Sequence, residues 1–218
     1  MEPVMHDELN AALLDVRRAY RLLADYQRRQ FELLAYIRDR LGATAYYQEY
    51  VHKRPGDLSG LENVEASGLR YLPFLGLSAL WLKHSGQEHY WDSHRAGDQM
   101  FGAWVRSDTG FDNYQGKFTD ALPESTTSEL VLSVVVCDQP GPEPYNWYDR
   151  AWLGIPYPEN GTVGQTADVP GYRVYAKSIN LAELGDQAGV NTAIEQWRVE
   201  ASDALGCTVG KVIESAVS

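Results

Sequence analysis

Three of the five histidines in this 218-residue chain fall in one short stretch, KHSGQEHYWDSHRAGDQ, as His84, His89 and His94. With Glu88, Asp92 and Asp98 they place six imidazole and carboxylate groups within fifteen residues. Zinc, manganese or iron binds such donors when they converge on one point, and the bound metal can then activate water for hydrolysis. The spacing argues against convergence. His84 and His89 are five residues apart, which suits no single helical face. The pattern H-x-x-x-E-H also misses the inverted zinc motif by one residue. Flanked by Gly86 and Gly97, the segment reads as a loop, where histidines are commonly solvated. A divalent-metal hydrolase built on His84, His89, Asp92, His94 and Asp98 is therefore the alternative reading. The plainer one is a polar connection that holds no cofactor.

Other catalytic patterns fail on inspection. Gly206–Val212 (GCTVGKV) contains a Gly-Lys pair, but its first glycine is one residue too close for a phosphate loop. Val212 also stands where a magnesium-holding Ser or Thr would be needed. There is no G-x-S-x-G elbow and no C-x-x-C pair. A nuclease strand with an acid two residues before Lys177 would need Asp or Glu at 175, where the chain has Tyr175. No strong motif marks the protein as an enzyme.

Two sets of residues have the character of a binding surface instead. Pro144–Pro158 (PYNWYDRAWLGIPYP) carries Tyr145, Trp147, Tyr148, Trp152 and Tyr157. Aromatic side chains in a loop can anchor a partner, or they can close over a sheet as a satellite core, which is the commoner outcome. Arg17, Arg21 and Arg28 share one flank of an N-terminal helix, with Arg18 and Arg29 adjacent. Such a run is ordinarily a solvated face balanced by near neighbours, here Asp15, Asp25 and Glu32. It can also dock on an acidic surface.

The elements that must position these residues fall into three parts. Leu9, Leu13, Val16, Tyr20 and Leu23 follow at steps of four and three, and after Gln27 and Gln30 the stripe resumes with Leu34, Ile37 and Leu41. At about 100° per residue these side chains share one face of a helix. No Pro or Gly interrupts Val4–Leu41, so the helix would span roughly 50 Å at about 1.5 Å per residue. Met5, Ala12, Ala19, Tyr26 and Leu33 widen the face beyond a two-stranded seam, which favours a globular core or bundle. Gly42 suits a C-cap. Ala45–Val51 reads as a short second helix and Pro73–Lys83 as a third, apolar all round and hence the natural cover for the long stripe.

The second part reads as sheet. Phe101–Ser107 alternates, Leu130–Val136 is a continuous β-branched run, and Tyr172–Ile179 alternates with Arg173 and Lys177 facing outward. The third part is a C-terminal helix with Val190, Ile194, Trp197, Ala201 and Leu205 on one face and Gly206 at its end. Asn180 and Glu183 cap a short turn before it. Strands in succession without intervening helices predict an antiparallel α+β fold packed by the terminal helix. The boundaries are a helical region over 1–84 and an α+β region over 85–218.

Charge limits the partners. The net charge is −11, yet residues 1–42 balance seven Arg against seven acids, so the whole excess lies in 43–218. This argues against a general nucleic-acid binder, which needs a basic patch. It leaves open an acidic protein that occupies a nucleic-acid-binding partner, although solubility accounts for the charge more simply. Cys137 and Cys207 read as buried thiols. Met1–Asp7 has no signal-peptide pattern and no stretch suits a membrane span, so the expected location is cytoplasmic. The favoured function is a non-enzymatic binding or assembly protein. It would act on a protein partner or a second copy of itself, through the long helix, the aromatic loop, or both.

Overall fold

A computed structural model describes residues 3–50, 76–86, 94–112, 117–141 and 146–211. Helix α1 runs Pro3–Leu41 and ends as its sequence predicts. Gly42 turns left-handed at φ 68°, donating its amide to Asp39, while Ala43 donates to Arg38. The strands that follow are β1 (Thr44–Tyr50), β2 (Gly76–Lys83), β3 (Gln99–Arg106), β4 (Phe111–Asp112), β5 (Lys117–Phe118), β6 (Glu129–Cys137), β7 (Thr162–Gly164) and β8 (Tyr172–Asn180). Helix α2 spans Gln187–Leu205. Six strands form one sheet in the order β1-β2-β3-β6-β8-β7, with every neighbour antiparallel, and β4 pairs with β5. The fold is α+β.

Two helices expected from the sequence are strands. Of the expected helix Ala45–Val51, the described part falls on β1, where a register shift between Ala45 and Tyr47 marks a bulge; Val51 lies outside the described residues. The described part of Pro73–Lys83 is β2; Pro73 itself lies outside the described residues. The reason is shared. A short apolar run has no decisive period, and β2 lies between β1 and β3 with both faces covered, so it is apolar on both sides just as a buried helix would be. In β1, the tyrosines of TAYYQEY favour a pleated surface.

The three strands expected from the sequence fall on β3, β6 and β8 and match their patterns, whereas β4, β5 and β7 are too short to leave one. Phe101, Ala103 and Val105 are all essentially inaccessible. They face α2, whose Val190, Ile194, Trp197, Ala201 and Leu205 are buried on one side. Trp197 sits 6.3 Å from Phe101 and 6.4 Å from Tyr175, ring to ring. Asp186 caps α2 by accepting from the Gly189 amide at 2.8 Å, and Gly206 closes it at φ 65°. Asn180 caps the short turn Leu181–Leu184 by accepting from Ala182. Arg173 and Lys177 depart from expectation: rather than pointing to open solvent, they lean toward α2. The Arg173 guanidinium reaches the Leu205 carbonyl at 2.7 Å, and Lys177 reaches Glu200 at 2.6 Å. Their long stems cover the sheet rim while their charged ends satisfy helix groups.

By internal contacts the chain divides into Met1–Tyr36 and Ile37–Ser218. Within the second unit the last turn of α1 is core, with Ile37 and Leu41 fully buried. Lys211 donates its amide to Leu41 at 3.0 Å, which joins the two ends of this unit. No described helix is long and apolar enough to cross a membrane.

Candidate functional site

The face of the sheet opposite α2 is built around one histidine. Val135 and Val174, with Met100 and Leu82 level with them across the register, form an apolar floor. Over it lies a π-helical turn, Trp147–Trp152. Its entry is fixed by Asn146, whose Oδ1 accepts from the amides of Tyr148 (2.8 Å) and Asp149 (3.1 Å) and from the Tyr46 hydroxyl of β1 (3.0 Å). Trp147 is fully buried and stacks on His94, with centroids 4.1 Å apart and planes 19° apart. Tyr172 stands edge-on to both rings, and its hydroxyl lies 2.7 Å from His94 Nδ1. That hydroxyl also accepts from the Gly141 amide at 3.3 Å. Burial pushes the Cys137 thiol up to about 11, against a hydrogen bond with Tyr172 that acts in the opposite direction. A thiol held protonated in this way is inert as a nucleophile.

Of the other histidine-segment residues, the described ones, His84 and Asp98, serve the β2–β3 connection. Asp98 is buried, and its carboxylate accepts from the Ser85 amide (2.6 Å), the Ser85 hydroxyl (3.0 Å) and the Arg95 amide (2.9 Å). His84 Nδ1 lies 3.6 Å from the same carboxylate. A carboxylate that accepts three such bonds is organised by the turn it closes. His94 is turned into the aromatic stack. Among the described residues, no three His, Cys, Asp or Glu side chains are grouped to hold a metal ion. His89, Asp92 and Glu88 lie outside the described residues.

Farther along the same face, Trp152 lies across Gly102 and Ser133. A Cβ on Gly102 would come within 2.5 Å of both the indole and the Ser133 hydroxyl. Tyr157 meets Trp152 edge-on at 5.3 Å. The aromatic segment thus divides by depth: Trp147 is interior, Tyr148 and Trp152 are half-buried, and Tyr157 is exposed. Tyr145 lies outside the described residues. A polar cleft of about 400 Å³ opens beside this face near Asp138, Gln165, Thr166, Tyr172 and Arg173. Its one cation is already matched, since Arg173 holds Asp138 through two bonds of 2.5 and 2.8 Å.

The N-terminal unit differs in kind. Leu9, Leu13, Val16 and Tyr20 are 59%, 45%, 49% and 68% exposed, and Leu22 is 72% exposed. Four consecutive members of one helical stripe therefore face solvent, whereas isolated exposed apolar residues need no explanation. Arg17, Arg21 and Arg28 lie along this helix; Arg28 pairs with Asp25 at 2.8 Å and neighbouring Arg18 with Asp15 at 3.0 Å. Arg17 and Arg21 form no ion pair among the described residues.

Sequence patterns did not single out Tyr46, Asn146 or Gly102. For Gly102 there was a signal: glycine inside an alternating strand marks a close approach of another group. Asn146, immediately before the aromatic turn, is a capping residue by type. Tyr46 gave none, because its role depends on a contact one hundred residues away.

A long N-terminal helix and a six-stranded antiparallel sheet covered by α2 and an aromatic turn define an α+β protein. The chain belongs to the PM0109 family, whose sequence pattern it matches over residues 6–206. It is 33% identical over 206 residues to the "Uncharacterized protein PM0109" of Pasteurella multocida (strain Pm70), covering 92% of this chain and 97% of that one. No solved structure matches it.

Proposed function

We propose that the protein is a non-enzymatic binding or assembly protein that works through the amphipathic face of α1. One observation supports this reading above the others: Leu9, Leu13, Val16 and Tyr20 form a continuous apolar stripe that stays exposed on its own unit. Burying one such side chain fully is worth about 1.5–3 kcal/mol, so a stripe of four is a strong drive toward association. The mode is helix-in-groove or helix pairing, read through anchors at i, i+4, i+7 and i+11. The aromatic turn stabilises the sheet in this account. A cytoplasmic location accords with Cys137 and Cys207, neither of which forms a disulfide.

The test is a Leu13→Glu, Val16→Glu double variant followed by tryptophan fluorescence on heating. All six tryptophans lie beyond residue 36, so the signal reports the sheet unit alone. The melting midpoint should remain within about 2 °C of the parent, since exposed-site changes cost under about 0.5 kcal/mol. A midpoint lowered by about 10 °C would mean the stripe is core of its own chain, and the reading would fall.

A further inference from the structure

The final described stretch, residues 207–211, leaves α2 and crosses to the end of α1 without joining a helix or a strand. Its backbone groups are met one at a time instead. The Cys207 amide donates to the Ser202 carbonyl at 3.2 Å, and the Val209 amide donates to the Ser202 hydroxyl at 3.0 Å. Arg198, which also holds Glu195, reaches the Val209 carbonyl at 3.4 Å. Facing this stretch is Gln99, the buried first residue of β3. Its Nε2 donates to the Thr208 carbonyl at 2.7 Å, and its Oε1 accepts from the Gly210 amide at 2.8 Å. One carboxamide therefore holds the chain on both sides of fully buried Val209, using the donor and acceptor that a neighbouring strand would offer.

The far end of the stretch closes on the root of α1. A helix leaves its last carbonyls without intrahelical partners. That of Leu41 accepts from the Lys211 amide at 3.0 Å, and Leu41 itself is fully buried. The approach is close from both sides. A Cβ on Gly42 would lie 3.1 Å from the Lys211 Cβ, and one on Gly210 would lie 3.2 Å from the Leu41 Cδ2. Both glycines are left-handed, at φ 68° and 66°, a conformation in which other residues are strained.

We propose that residues 207–211 are a strap that holds the root of α1, residues 37–43, with Gln99 as its latch. Opening the latch frees strap and root together while the sheet stays folded. This goes beyond the reading of the exposed stripe as a binding face and does not depend on it. Gln99 is a positioning residue that acts on α1 through the strap. The strap is separable because it is held by three side chains and two helix carbonyls, with no ladder behind them. β3, by contrast, is paired along its whole length with β2 and β6. Segments so lightly bonded open at a lower free energy than the whole molecule.

Hydrogen exchange of the full chain at pH 7, read by peptide mass spectrometry well below the melting midpoint, tests the proposal. Gln99→Met keeps a similar volume and removes both latch bonds. Gly210→Ala strains the strap from the α1 side and leaves Gln99 intact, so it carries the test if Gln99→Met folds poorly. Each variant should speed exchange in two peptides, those over residues 37–43 and 207–211, by about tenfold or more, the factor expected for two ordinary hydrogen bonds. Exchange in β6 and β8 should stay at the parent rate. Faster exchange in the strap over a root that keeps its parent rate would show that the strap does not hold α1, and would overturn the proposal. Acceleration alike in every peptide would make Gln99 an ordinary core residue and overturn it too, as would parent rates in both peptides.

Discussion

At the scale of single residues, the sheet face opposite α2 depends on a few contacts with little tolerance. Gly102→Ala forces a methyl to within 2.5 Å of the Ser133 hydroxyl and the Trp152 ring. Overpacking of this kind costs about 1–3 kcal/mol, and chemical denaturation should show it. Trp147→Ala removes the ring that stacks on His94 and leaves a void beneath the π-helical turn, so a loss of about 3–5 kcal/mol is expected from the same measurement. The two thiols should differ in reactivity. Cys137 is inaccessible and its thiol is raised to about 11, whereas Cys207 is partly exposed and raised by burial to a lesser depth. Peptide mass spectrometry after alkylation at pH 8 should find Cys207 modified first, with Cys137 modified only on unfolding. Early modification of Cys137 would contradict the packing described.

At the scale of elements, periodicity located what it could physically encode. In α2 the stripe Val190, Ile194, Trp197, Ala201 and Leu205 is long enough for the helical period to be unmistakable, and it faces the sheet as the sequence implies. β2 and β1 differ from expectation because a short, mainly apolar run, or seven residues with clustered tyrosines, satisfies a buried helix and a buried strand equally well; pairing with distant strands decides the matter. The described ends of the histidine segment lie outside helix and strand as the sequence implies, but the stacking of His94 on Trp147 joins positions 53 apart, and no local pattern records that. The α2–β8 contact yields a pH prediction. Lys177, then Gln196, hold the Glu200 carboxyl below its ordinary value of 4.5. A depressed carboxyl contributes stability above its unfolded value, and this is lost as pH falls through the folded one. Glu200→Gln should therefore lower the melting midpoint at pH 7, with the difference from the parent shrinking as pH falls below the ordinary value of 4.5. A difference that persists there would assign the effect to packing.

At the scale of the whole molecule, charge and apolar surface are distributed unequally. The sheet unit buries its apolar residues on both faces and carries nearly all of the acidic excess, while the first 36 residues set five Arg against six acids and expose a row of large apolar side chains. Sequence alone gave the stripe; it did not reveal which part is core. Ile37 and Leu41 belong to the second unit and are buried, whereas Leu9, Leu13, Val16 and Tyr20 are open to solvent. The same period thus serves two purposes along one helix, anchoring at its end and contact at its beginning. The central claim is that the exposed part is an intermolecular face. Light scattering of the full chain beside the Leu13→Glu, Val16→Glu variant, over about a hundredfold range of concentration, tests it most directly, since a mass-action equilibrium must move across that range. The account predicts a mass above that of one chain for the parent and a single-chain mass for the variant, with the tryptophan melt unchanged. Equal masses for the two, together with a lowered melt in the variant, would contradict it.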